Sequence, residues 1–174
     1  MAHITRPEEG EFNPYYSTYI DKVKGDDILM TLEVQLESTT EFIRRFDYDK
    51  QDYRYAENKW TPKEVFLHIL DAERVFAYRA LRVARGDETP LPGFDQDQYV
   101  PESNAGSRSL ESISEEYEAV RNATLQLFRY LTDDQFQRRG LANNSPISVR
   151  ALAYIIAGHE IHHLGVLRER YLGR

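Results

Sequence analysis

The stretch Trp60-Thr61-Pro62-Lys63-Glu64-Val65-Phe66-Leu67-His68-Ile69-Leu70-Asp71 carries the sharpest structural signal in the chain. Thr61 is placed to cap a helix, and Pro62 suits the first helical position because the N–H it lacks would have no partner there. Glu64, three residues after the cap, completes a capping box. Beyond it, Val65, His68, Ile69, Ala72, Val75, Phe76 and Val83 recur at helical spacing and share one face. The spacing predicts a helix from this cap to about Arg85, where Gly86 ends it. His68 falls on the apolar face and is expected to point inward.

Upstream, Tyr48 to Lys59 is polar and aromatic without a period and reads as a connection. Before it, Asp26 is a plausible cap for a helix running to about Phe46, with Ile28, Leu32, Leu36 and Ile43 near one stripe. The proline-broken aromatic segment from Phe12 to Val23 is expected to wrap the surface and pack its rings down, and His3 to be disordered with the terminus.

Downstream, Asp87 to Arg108 contains Pro90, Pro92, Gly93, Pro101 and Gly106 and no helical period. A structureless segment of that length more often forms a binding loop or lid than idle chain. Ser109 then caps a helix carrying Leu110, Ile113, Tyr117, Val120, Thr124, Leu127, Phe128 and Leu131. After a connection from Thr132 to Pro146, Ser145 or Ser148 caps a last helix that Gly173 stops, with the stripe Leu152, Ile155, Ile156, His159, His163, Val166. Four amphipathic helices, one long crossover and no period-2 strand describe an all-α four-helix bundle formed by residues 1–174 as a single domain.

Composition narrows the function. At 174 residues and 41% hydrophobic, the chain can bury one core. No apolar run approaches a membrane span, and the start lacks the apolar stretch of a secretory signal, so a soluble cytoplasmic protein is expected. A net charge of −7 disfavours a nucleic-acid backbone as partner. The absence of cysteine excludes disulfides, thiolate metal sites and thiol nucleophiles, leaving His, Asp and Glu as the available metal ligands.

Three of the five histidines fall on stripes otherwise filled by core residues. His159 and His163, four apart, share a face of the last helix about 6 Å apart along its axis. A buried imidazole left unpaired costs roughly 1–3 kcal/mol, and one divalent ion taking a nitrogen from each of His68, His159 and His163 would satisfy all three. Three neutral imidazoles leave at least one coordination position open, as in catalytic zinc sites. A lone inward histidine is more often a hydrogen-bonded core residue, and the coincidence of three on inward stripes is what favours the ion. His162, about 100° round the helix from His163, suits a surface or supporting role.

His159-Glu160-Ile161-His162-His163 also satisfies the H-E-x-x-H pattern of zinc peptidases, with the glutamate as general base. The metzincin form would want Gly at Val166 and His at Glu169, and neither is present. A gluzincin would want its third ligand on a later helix, and none is expected after the last one.

The segment around His68, with Gly158-His159-Glu160-Ile161-His162-His163-Leu164-Gly165, resembles the DinB/YfiT superfamily of metal-dependent four-helix bundles over nearly the whole chain. The resemblance concerns one histidine on the second helix and a His-x-x-x-His pair on the last, and not the DNA polymerase of similar name. It implies an unusual crossover connection, frequent homodimerisation and a divalent ion, variously zinc, nickel, iron or manganese. It also implies that some members transfer small thiols such as bacillithiol or mycothiol.

A three-histidine ion with open positions could ionise a low-molecular-weight thiol or activate water. The sequence is therefore read as a metal-dependent transferase or hydrolase acting on a small molecule, with Asp71 and Glu160 as candidates to support the ligands. Asp71 equally suits a solvated carboxylate paired with Arg74. Phe94, Asp95, Tyr99 and Arg108 are candidates for substrate contact, or for sealing the bundle end, and Arg79, Arg82 and Arg85 read as surface charge near a helix end. A non-catalytic metal-binding or dimerising module is the alternative from another class.

Overall fold

Four long helices build the molecule, seen here in a computed structural model that describes residues 4–25 and 27–173. A short helix α1 (Ser17–Ile20) precedes the first long one, α2 (Ile28–Arg44). The others are α3 (Pro62–Ala84), α5 (Leu110–Arg129) and α7 (Val149–Val166), with short helices α4 (Gln96–Glu102) and α6 (Asp133–Gln137) in the connections. The residues proposed as cap and disordered terminus, Asp26 and His3, lie outside the described residues.

Local chemistry sets the helix ends. Asp27 caps α2 by accepting from the Met30 N–H at 3.0 Å. At α3 the Thr61 hydroxyl accepts from the Glu64 N–H at 3.2 Å while the Glu64 carboxylate accepts from the Thr61 N–H at 2.6 Å, the reciprocal pairing of a capping box. Gly86, at φ +78°, takes the left-handed position that closes this helix. Ser109 caps α5, and Ser148 rather than Ser145 caps α7. A π-helical turn, Leu167–Leu172, extends α7 to Gly173 at φ +68°.

The connections hold more structure than their sequence suggested. Within 87–108, α4 and a 3-10 turn (Ala105–Ser107) replace the expected bare loop. The segment 132–146 contains α6 and leads into an antiparallel hairpin of β1 (Arg139–Ala142) and β2 (Ser145–Ser148). Its two-residue turn is Asn143-Asn144, at φ +50° and +58°, the left-handed pair that the strand twist requires and that asparagine tolerates. Four residues per strand are too few for a period-2 pattern to stand out. Leu91 pairs alongside Ala142, and the Ser148 N–H donates to the Glu11 carbonyl at 2.9 Å, so the hairpin gathers the crossover and the N-terminal segment.

In the bundle α2 packs chiefly on α5, and α3 chiefly on α7 and α5. The most extensive packing of each long helix is thus with the long helix two along the chain, α2 with α5 and α3 with α7. Residues 151–160 of α7 are all buried, as for a helix enclosed on every side, with α1 covering its outer face. There the Tyr19 backbone approaches so closely that a Cβ on Gly158 would lie 2.1 Å from the Tyr19 carbonyl oxygen.

The core divides along the bundle axis. Ile28, Leu32, Phe76, Phe128 and Leu152 belong to one apolar cluster, and Ile43, Phe66, Ile69, Ile113 and Leu164 to another. Between them runs a buried polar layer containing Gln35, Thr39, His68, Glu73, Tyr117, Arg121, His159 and Glu160. Among the described residues no helix is long and apolar enough to cross a membrane.

Candidate metal centre

His68 enters this layer from α3, and His159 and His163 enter it one turn apart from α7. His68 is 2% exposed and His159 5%, while His163 is partly buried. His159 Nε2 lies 3.0 Å from His68 Nε2 and 3.1 Å from His163 Nε2. These three form the one group of potential metal ligands found among the described residues. For nitrogen ligands at 2.0–2.1 Å in tetrahedral geometry the expected N···N spacing is about 3.3 Å, close to the two spacings at His159, and all three ligand atoms lie within 4.8 Å of one another.

The donor chemistry fits a cation better than mutual hydrogen bonding. A neutral imidazole nitrogen carries either one N–H or one lone pair in the ring plane. His159 Nε2 therefore cannot satisfy two other ring nitrogens at once, whereas an ion accepts a lone pair from each. All three rings are held in the neutral, lone-pair-bearing form. Burial, reinforced by His162, pushes His68 down to about 4, and burial with His68 and His162 nearby pushes His163 down to about 2. Burial, then His163 and His68, holds His159 well below the ordinary value.

Aromatic rings pack around the cluster. The Trp60 ring lies 4.8 Å from that of His68, and Tyr19 and Phe76 lie 5.2 and 6.0 Å from that of His159. Two cavities reach the histidines. One, of about 260 Å³, runs along His159 and is walled by Tyr15, Tyr16, Tyr19, Phe76 and Phe94, with Asp95 and Gln96 from the start of α4. The other, of about 240 Å³, runs along His162 and His163 between Trp60, Asp97 and Tyr171.

The remaining candidates divide. Phe94 and Asp95 do reach the His159 cavity, but Tyr99 and Arg108 line a separate cavity of about 520 Å³ together with Asp71. Asp71 pairs with Arg74 at 3.4 Å, and burial raises its carboxyl above the ordinary value despite that arginine. Glu160 sits beside His159 in sequence, yet its carboxylate accepts from Thr39 Oγ1 at 2.7 Å, Tyr117 OH at 2.8 Å and Arg121 Nη2 at 2.7 Å. His162 packs its ring 4.9 Å from that of His163 and 5.4 Å from that of Tyr19. Arg79 corrects the reading of a surface basic run: it is 3% exposed, donates to the Pro92 carbonyl at 2.7 Å and stacks on Phe76 and Phe94.

Sequence reasoning missed Arg121 and Glu73, although the spacing 110, 113, 117, 121, 125, 128 put Arg121 on an inward stripe. It expected the segment bearing Tyr15, Tyr16 and Tyr19 to pack its rings down, as Tyr19 does, but did not connect these tyrosines with the His159 cavity.

Fold and site together define a class of helical bundles in which a histidine from one central helix converges with a one-turn histidine pair from another. Residues 31–167 match the family model of the DinB superfamily, and the chain belongs to that superfamily. Among solved structures it is similar to YfiT from Bacillus subtilis, described as "a probable metal-dependent hydrolase with an unusual four-helix bundle topology". That match has 19% identity, a TM-score of 0.70, and coverage of 96% of this chain and 93% of that one. It is also similar to YjoA, a DinB-like protein from the same organism, at 21% identity and a TM-score of 0.59, covering 84% and 92% of the two chains. No curated protein matches it.

Proposed function

We propose that this protein is a metal-dependent hydrolase whose divalent ion is held by Nε2 of His68, His159 and His163. The observation that carries the reading is the placement of His159 Nε2 at 3.0 and 3.1 Å from two other ring nitrogens, a contact set that imidazoles alone cannot satisfy. The likeness to YfiT, itself described as a probable metal-dependent hydrolase, supports the same reading. When bound, such an ion supplies Lewis acidity and a water-derived nucleophile at neutral pH.

The chain supplies the rest. Neutral, desolvated imidazoles present their lone pairs without having to lose protons first. Tyr19, Phe76 and Phe94 exclude bulk water from the His159 side and offer apolar surface to a substrate. Three donors are gathered and no fourth joins them among the described residues, which would leave coordination positions for a reacting group.

The test is elemental analysis of the purified protein beside His163→Ala and His68→Ala, together with hydrolysis of a panel of small esters and amides. One ion per chain is expected in the wild type, with most of it lost in both variants to a similar degree. Hydrolysis should disappear on chelation and return with the ion. Full stoichiometric metal in either variant would overturn the three-ligand centre, and metal retained without hydrolysis across the panel would favour a non-catalytic module.

A further inference from the structure

The proposed chemistry leaves the glutamate of the His-Glu-x-x-His segment without a task, along with the buried arginine it meets. Arg121 of α5 is 0% exposed, and its guanidinium donates from Nε and Nη2 to the two carboxylate oxygens of Glu73, at 2.9 and 2.8 Å. The same Nη2 donates to Glu160 Oε2 at 2.7 Å, and Nη1 reaches the Leu32 carbonyl of α2 at 3.2 Å. Glu73 stands on α3, the helix of His68, and Glu160 on α7 beside His159. One planar cation therefore joins the two helices that carry all three histidines. Thr39 and Tyr117 complete the cage around Glu160, and burial with the adjacent Glu160 raises the Tyr117 hydroxyl well above its ordinary value, keeping it a donor.

Two glutamate side chains thus share one guanidinium in a fully buried layer. Apolar residues of similar size often stabilise a fold as well as or better than such a triad, so stability alone is a weak reason for its presence. What a guanidinium offers that apolar packing does not is a rigid fork with fixed distances to two carboxylates.

We propose that Arg121 is a positioning residue for the three-histidine centre. By clamping Glu73 to Glu160 it sets the separation and rotation of α3 against α7, and with them the convergence of His68 Nε2 on His159 and His163. The inference rests on the metal reading above. It gives Glu160 an anchoring role in place of the general-base role the same motif has in zinc peptidases.

The experiment compares Arg121→Lys and Glu160→Gln with a control, Glu11→Gln. Lysine keeps the charge but cannot bridge as a fork, and glutamine removes the carboxylate charge and replaces one of the two acceptor oxygens that Thr39, Tyr117 and Arg121 share with an NH2 donor. Glu11 is buried at the hairpin among Arg139, Ser148 and Arg150, at the opposite end of α7 from His163. For each protein the readouts are zinc affinity by competition with a chromophoric chelator, the visible spectrum of the cobalt form, and thermal stability without metal. The clamp variants should lose about 10- to 100-fold in zinc affinity and show shifted cobalt bands, while Glu11→Gln loses stability but keeps the wild-type affinity and spectrum. Wild-type affinity and spectrum in both clamp variants would overturn the proposal. If Arg121→Lys does not fold, Glu160→Gln decides alone. A wild-type protein that takes up neither ion overturns the metal reading, and the clamp with it.

Discussion

Gly158→Ala tests how tightly the N-terminal segment is fastened over the histidines. The added Cβ would lie 2.1 Å from the Tyr19 carbonyl oxygen, 2.5 Å from its carbonyl carbon and 3.1 Å from its Cα. These are backbone atoms, so no rotamer change relieves the clash. Restoring an ordinary contact near 3.4 Å requires α1 to lift by roughly 1 Å, at the overpacking cost of about 1–3 kcal/mol. Gly165→Ala provides the reference, because Gly165 lies in the same helix with nothing within 4 Å of its would-be Cβ. There alanine should stabilise by up to about 1 kcal/mol through helix propensity alone. The propensity gain is common to both sites, so the difference between the variants isolates the contact. At roughly 2–4 °C per kcal/mol for a chain of this size, Gly158→Ala should melt about 2–12 °C below Gly165→Ala in circular dichroism. Equal melting temperatures would show that α1 does not bear on α7 as described.

Two further expectations follow from the chemistry. In a cobalt-substituted protein that has no cysteine, saturable charge-transfer absorption on adding a small cellular thiol would mark thiolate at the ion and redirect the reading from hydrolysis to thiol transfer. Hydrolysis predicts substrate turnover without that band. Glu11 is desolvated, which would raise its pKa, but hydrogen bonds from Arg150 and Ser148 outweigh burial and hold it below the ordinary 4.5. A depressed carboxyl stabilises the fold above its unfolded pKa and loses that contribution as pH falls through the folded value. The stability gap between wild type and Glu11→Gln in urea unfolding should therefore be constant above about pH 5 and narrow below about 4.5. A gap unchanged through that acid range would show that the ion pairs at the hairpin contribute nothing.

The long elements were legible because their signals are local and redundant. Thr61, Pro62 and Glu64 mark one end of α3 and Gly86 the other, and six of the seven residues read as one face between them are buried. The three histidines were legible because each interrupts an apolar stripe. The hairpin and α4 were hidden by shortness: Asn143-Asn144 and the Asp95 cap are single turn signals without a periodic run beside them. The polar layer was hidden for another reason. A charged residue on an inward stripe, such as Arg121, reads as a weak spot in the pattern until its partners from α3 and α7 are known, and no spacing within one helix identifies them. The tyrosines beside His159 were hidden because a segment outside the bundle delivers them.

That delivery divides the cavity walls between the bundle and the segments on either side of it. The family match spans residues 31–167, whereas Tyr15, Tyr16, Tyr19 and Tyr171, which wall the two cavities, lie beyond it on either side. The matched portion supplies the histidines and the scaffold, while the residues on either side of it add four tyrosines to the cavity walls. A protein trimmed to the family boundaries would keep the three histidines and lose the tyrosines that wall the cavities beside them.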